Sequence, residues 1–362
     1  MISFPVRYDE ILQRINQLDT ERYSKTRNYY DGAVSYLSPY LSRGVITLPR
    51  VLERVLRKNS FPDAERFIYE LAWREYFQRV WDRDGWNILT DVLHPQQPVA
   101  HHKHVARVVE ATTGIEAIDE QVNLLYNSGY MHNHARMYVA SITCNIARAH
   151  WNIPAKWMYY HLLDGDLASN ALSWQWIAGT FSAKKYYCNQ SSINQFSGTS
   201  QTGTLLDKAY EDLQSAITIP DSLSESVLPS LPLTLPGSRE GVYNYSLPLL
   251  LYTTYNLDPQ WRSGEEANRV LLLEPSHFQK FPVSVRVLDF IIQLSQNIPG
   301  IQIITCEVSD IPELHKFPAI YSRVHPAFRH YPGDKDPQEW MFPKAVLKSS
   351  FSAYWKSCQQ TF

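Results

Sequence analysis

Nowhere does this sequence stay apolar for long. Its longest uninterrupted run, Leu247–Leu251, is far too short to span a bilayer, so no membrane role is expected. The N-terminal residues MISFPVRYDE lack a basic flank followed by an apolar core, which argues against a secretory signal. Cysteine is scarce. Cys144, Cys188, Cys306 and Cys358 lie far apart with no CxxC pair, so neither a disulfide framework nor an iron–sulfur cluster is indicated. Reduced thiols and a cytoplasmic location are expected. Positive charge is not in excess: the formal net charge is −2, which disfavours a broad nucleic-acid footprint while leaving room for a local basic groove. The nucleotide-loop signatures GxGxxG and GxxxxGKS are missing, as are GxSxG, HExxH and an EF-hand loop. His101, His102 and His104 in HHKH point in different directions without a nearby acid or thiol, so a solvated loop is expected there and no metal site.

What the chain has in abundance is aromatic surface. Ten Trp and 23 Tyr suit a generous aromatic core, or stacking surfaces for a ring cofactor or for bases. From Gly129 to Trp176, His132, Asn133, Arg136, Asp164, Asp166 and Asn170 are interleaved with Trp151, Trp174 and Trp176 in a mainly helical pattern. Charges and amides among so many apolar positions need partners. The combination suggests an aromatic-walled polar cavity for a flat, hydrogen-bonding ligand.

Apolar spacing near 3.6 residues predicts helices over 9–18, 48–57, 63–81, 114–128, 133–149, 155–163, 170–178 and 205–216. Composition shifts at 217–241, where Pro220, Pro229, Pro232 and Pro236 mark a linker. Strand-like runs follow at 246–255, 269–274, 301–308 and 319–324, with helices at 284–296 and 342–359. The resulting expectation is a helical domain over 1–216, a Pro/Ser-rich linker, and a small α/β domain over 242–362.

Three segments carry candidate chemistry. Ser35 and Ser38, beside Pro39 at a helix start, suit a phosphate or an ordinary helix cap. Glu70, Trp73, Arg74 and Phe77 share one helix face, as a mixed binding surface or as a Glu70–Arg74 pair flanking a half-buried indole. Arg136, if buried, needs a carboxylate, and Asp164 and Asp166 are at hand.

In their order these segments resemble the flavin-binding catalytic domain of the cryptochrome/photolyase family, of the class I cyclobutane-dimer type. The resemblance covers roughly residues 20–180. It rests on Tyr23 with Arg27–Asn28; Ser35 to Gly44 (S-x-LSPYL-x-x-G); Glu70 to Glu75 (E-L-x-W-R-E); Thr113 to Asp119; Gly129 to Met137 (G-Y-M-H-N-x-x-R-M); and Leu162 to Trp176 (L-x-DGDLASN-x-x-x-W-Q-W). It implies an all-helical FAD-binding domain followed by a Rossmann-like α/β part. Tyr23, Ser35, Leu37 and Ser38 would hold the diphosphate and ribityl parts of FAD. Arg136 and Asp164 would form the ion pair beside the ring, Asp166 would accept from its polar edge, and Asn170 would sit at N5. Glu70, Trp73, Arg74, Asn133, Met137 and Trp176 would line the lesion pocket, with Trp73 and Trp176 sandwiching a dimer and Glu70 and Asn133 pairing with its edges. Asn133 and Met137 follow the cyclobutane pattern; a pocket histidine is the mark of (6–4) repair, and His132 and His134 stand close by. The implied reaction is blue-light-driven repair of cyclobutane pyrimidine dimers in DNA, with Trp174 and Trp151 relaying electrons to the flavin. A photoreceptor without repair activity and other flavin redox chemistry are the alternatives.

The chain departs from the family in three places. The third relay tryptophan would fall near Pro98, where there is none; Trp157, Trp86 or a tyrosine could substitute. The phosphate-clamping arginine expected after Trp176 is replaced by Tyr186-Tyr187-Cys188-Asn189, with Lys184 and Lys185 nearby, so single-stranded damaged DNA is a candidate substrate. Residues 268–311 resemble part of the family's antenna domain, here shortened and placed after the flavin domain as in a circular permutation. No antenna chromophore is expected.

Overall fold

A computed structural model describes residues 2–237 and 240–361. Met1 and Phe362, at the ends of the two expected domains, and Ser238 and Arg239 of the expected linker lie outside the described residues. The chain divides into two compact units: residues 1–20, 35–82 and 232–362 form one, and residues 21–34 and 83–231 the other. The break at 231/232 lies within the Pro/Ser-rich stretch, but the units do not follow chain order, because two N-terminal segments stand with the C-terminal part.

The first unit is built on a parallel sheet. Its strands are β3 (Leu249–Tyr252), β4 (Asn268–Leu272), β5 (Ile301–Ile304), β6 (Ile320–Arg323) and β7 (Asp334–Asp336), in the order β5-β4-β3-β6-β7. The chain starts at the centre, walks to one edge, then returns to the other side of β3, as in doubly wound folds. All four residues of β3 are buried, which accounts for its unbroken apolar sequence. Strands β4 and β5 are joined through α13 (Pro275–Lys280) and α14 (Val285–Ser295), the latter capped by Ser284 Oγ. The N-terminal helices α1 (Tyr8–Asn16), α3 (Ser38–Ser42), α4 (Leu48–Leu56) and most of α5 (Phe61–Asp84) pack in the same unit. Asn297 accepts from the Tyr8 amide and donates to Val6 O, at 2.9 and 2.7 Å. Arg50 reaches the fully buried Asp258 at 3.1 Å. Gly44 has φ +61°, and a Cβ there would lie 2.1 Å from Tyr255 O, so only glycine permits this approach of helix to sheet.

The last helix, α15 (Phe351–Gln359), is shorter than the 342–359 expected. The preceding backbone amides are held elsewhere: Met341 and Phe342 both donate to Glu75, and Val346 to Ser357 Oγ. Glu75 is wholly buried and also accepts from Tyr354 Oη at 2.7 Å and Arg79 Nε at 3.2 Å. A buried carboxylate with this many donors fixes a strap of chain to α5.

The second unit is helical. It holds most of α2 (Thr20–Thr26), then α6 (Ala106–Val109), α7 (Glu116–Ser128), α8 (Asn133–Ser141), α9 (Asn152–His161), α10 (Leu167–Ala178), α11 (Gln190–Ser197) and α12 (Tyr210–Ser215). Gly129, Gly179 and Gly198, with φ of 72°, 81° and 78°, end α7, α10 and α11. The expected helix over 133–149 is interrupted: α8 gives way to a π-turn at Ile142–Ile146. The expected helix at 205–216 shrinks to α12: the Asp207 and Lys208 amides go to Thr204 O and Leu206 O, and Asp207 Oδ2 accepts from the Gly203 amide, so residues 203–208 form turns. A two-residue ribbon went unforeseen: β1 (His104–Val105) pairs antiparallel with β2 (Ser226–Val227) inside the expected linker. His104 is therefore buried, with its ring edge-on to Trp157 at 4.7 Å, and burial lowers its pKa to about 3. The solvated loop expected at HHKH is thus corrected at this residue. Among the described residues no helix is long and apolar enough to cross a membrane.

Candidate functional site

In the helical unit the structure joins two of the candidate residues directly, Arg136 and Asp164. Arg136, on α8, places Nη2 at 3.1 and 3.0 Å from the two oxygens of Asp164, while its Nε donates to Met131 O at 2.9 Å. The Asp164 side chain is 5% exposed and that of Arg136 is 21% exposed, so the pair is largely withdrawn from water. Asp164 follows α9 and Asp166 begins α10, where Asp166 Oδ1 accepts from the Ser169 amide at 2.7 Å. Asn170, one turn into α10, donates Nδ2 to Ala155 O at 2.8 Å. That bond fixes the amide plane and turns Oδ1 the other way. Between Asp166 and Asn170 in the chain, the Ser169 hydroxyl is buried and has no hydrogen-bond partner among the described residues. A buried unpaired hydroxyl flanked in the chain by two polar side chains fits a bound ring with a polar edge. Tyr23, on α2, is half-buried.

Trp151 and Trp174 are 1% and 2% exposed and lie in one apolar core. Trp176 and Met137 are half-buried against that core, and Asn133 is exposed at the start of α8. His132 caps α8, its Nδ1 accepting from the His134 amide at 3.2 Å, and His134 donates Nδ1–H to Asn28 O at 3.1 Å. Burial lowers both pKa values, His132 to about 4. Both histidines are thus engaged in holding the helix. Lys184 is exposed, and desolvation lowers the pKa of the half-buried Lys185.

The other candidates belong to the first unit. Ser35 Oγ accepts from the Leu37 amide at 3.4 Å, and Tyr36 between them has φ 51°. A left-handed residue followed by the right-handed Leu37 makes a turn that gathers backbone amides; Ser38 opens α3. On α5, Glu70 pairs with Arg66 at 2.9 Å. Arg74 donates to Ser42 Oγ at 3.0 Å. Trp73 is stacked on Phe351 of α15, with centroids 3.6 Å apart and planes 14° from parallel. One face of this indole is therefore covered by the chain itself. Neither Phe351 nor Ser169 was singled out by sequence; Phe351 lies far beyond the recognisable motifs, whereas Ser169 sits inside one.

Residues 67–209 match the family model described as the FAD binding domain of DNA photolyase. The deoxyribodipyrimidine photo-lyase of Streptomyces griseus is 30% identical over 161 residues, 41% of this chain and 32% of that protein. Cryptochrome DASH of Natronomonas pharaonis is 29% identical over 167 residues, 43% of this chain and 35% of its own. A crystallised Synechocystis cryptochrome aligns over 54% of this chain and 44% of its own, at 25% identity and a TM-score of 0.49. The matched segment is similar to the FAD binding domain of DNA photolyase and makes up less than half of this chain. The chain spans roughly a third of the length of these curated relatives.

Proposed function

We propose that this protein binds FAD and uses blue light to repair cyclobutane pyrimidine dimers in DNA. The carrying observation is the largely buried Arg136–Asp164 pair, with Asp166 and Asn170 at the start of the helix that follows it. When bound, reduced FAD supplies a photo-excitable electron donor. Arg136 and Asp164 hold the ring's flank, and Asp166 accepts from its polar edge. Asn170, locked by Ala155, presents its carbonyl end toward N5. Tyr23, Ser35, Leu37 and Ser38 are the proposed holders of the diphosphate and ribityl parts. Asn133, Met137 and Trp176 are proposed to meet the lesion, with Glu70, Trp73 and Arg74 as further contacts. A poorly stacked dimer costs little to flip out of DNA. Exposed Lys184 and the missing arginine support single-stranded damaged DNA as substrate.

A second reading is a flavin photoreceptor without repair activity. Phe351 over Trp73 favours it, because it occupies an indole face that a dimer would use. Illumination of the reduced protein with single-stranded and duplex oligonucleotides carrying one thymine dimer separates the two. Repair of the single strand supports the first reading; reversible flavin photochemistry with no repair of either supports the second. Trp176→Ala is expected to lose dimer binding and keep its yellow colour. Equal loss of flavin would contradict the division of labour between ring and lesion residues.

A further inference from the structure

The relay tryptophan Trp151 is 1% exposed, and its indole Nε1–H donates to Asp91 Oδ1 at 2.6 Å. The other groups facing this carboxylate are few. The Gln96 amide donates to Oδ2 at 2.8 Å, and His150 Nε2 lies 3.4 Å from Oδ1. His150 Nδ1 accepts from the Asn152 amide at 3.4 Å, which leaves the ring proton on Nε2, facing Asp91. The Asp91 side chain is 20% exposed and that of His150 is 18% exposed. His150 in turn stacks on the exposed His102 at 4.8 Å. A buried indole thus touches a carboxylate that itself reaches water. Trp157 offers the contrast: its Nε1 donates to the neutral Tyr126 hydroxyl at 3.1 Å. A hydroxyl or a backbone carbonyl would satisfy an indole N–H as well as a carboxylate does; only the carboxylate is also a base.

We propose that Asp91 is the proton acceptor for oxidised Trp151, and that this proton transfer replaces the missing outer tryptophan as the step that traps separated charge. The inference rests on the flavin reading above. Trp151 loses one electron by way of Trp174 to a photo-excited oxidised flavin, which is reduced by one electron. The Trp151 Nε1–H bond breaks and an O–H bond forms on Asp91 Oδ1. The products on this chain are a neutral indolyl radical and a carboxylic acid, which exchanges its proton with solvent. Without the proton transfer the hole on Trp151 stays positively charged, and the electron returns quickly. Asp91 thus acts on a reacting atom of the relay as a general base.

The test compares the full chain with Asp91→Asn and Trp151→Phe, each loaded with oxidised FAD, by transient absorption after a blue flash. The protonated indole radical cation and the deprotonated radical absorb at different wavelengths. The wild type should form the deprotonated radical, more slowly in heavy water. Asp91→Asn keeps an acceptor oxygen for the hydrogen bond but no base, so that radical should form about a hundredfold more slowly. Trp151→Phe should abolish it. Formation at the wild-type rate in Asp91→Asn, or in Trp151→Phe, overturns the assignment. The same comparison is run on flavin-free chain with ruthenium tris-bipyridine as flash-quench oxidant. A chain that takes up no FAD contradicts the cofactor reading, while the ruthenium experiment still decides the role of Asp91.

Discussion

Arg136 and Asp164 set the polarity of the helical unit at a single point. Their pair sets one guanidinium nitrogen, Nη2, against both oxygens of Asp164; it is mostly buried and backed by the Arg136 bond to Met131 O. Breaking such a pair leaves an unbalanced buried charge. Asp164→Ala is expected to cost about 3 kcal/mol of stability and to lower flavin retention, as read by chemical denaturation and by the flavin absorbance of the purified protein. A variant with unchanged stability would mean that Arg136 finds another carboxylate. The pairing was legible in the sequence because a helical Arg among apolar neighbours has few acids to choose from. The Glu70–Arg66 pair was not, because Glu70 has an arginine one turn away on either side and sequence spacing alone does not single out Arg66. The partner of Trp151 was hidden for another reason. Asp91 lies 60 residues away in the chain, beyond any local pattern.

At the level of elements, the strap from Met341 and the helix α15 determine what α5 can offer. Glu75 anchors the strap, and Phe351 lies flat on Trp73 while meeting Tyr69 edge-on at 4.9 Å. Phe351→Ala removes a buried ring and should cost about 3 kcal/mol. It should also expose one face of Trp73, shifting the tryptophan fluorescence to the red. An unchanged spectrum would mean that neighbouring side chains close over the gap. Regular helices such as α7 and α10 were readable from apolar period and terminal glycines. The shortened α12 and α15 were not: Lys208 and Val346, inside the expected ranges, give their amides to Leu206 O and Ser357 Oγ and so leave the helical pattern. Strand β7 was missed for a simpler reason: Asp334–Asp336 has no apolar pattern and rests on pairing with β6.

The whole chain holds a segment similar to the FAD binding domain of DNA photolyase and a parallel sheet of doubly wound order. Chain order suggested a helical domain, a linker and an α/β domain in succession. The compact units instead put residues 1–20 and 35–82 with the C-terminal sheet. Contacts of that kind, such as Arg50 with Asp258 and Gly44 with Tyr255, join residues more than 200 positions apart. No periodicity reveals them. Every functional proposal for this molecule depends on a flavin held by Arg136, Asp164, Asp166 and Asn170. The most direct measurement is titration of the flavin-free chain with FAD, followed by absorbance and by quenching of flavin fluorescence. The account predicts saturable uptake of one FAD per chain, lost in Asp164→Ala under conditions where that variant remains folded. A folded wild-type chain that stays colourless at saturating FAD would contradict it.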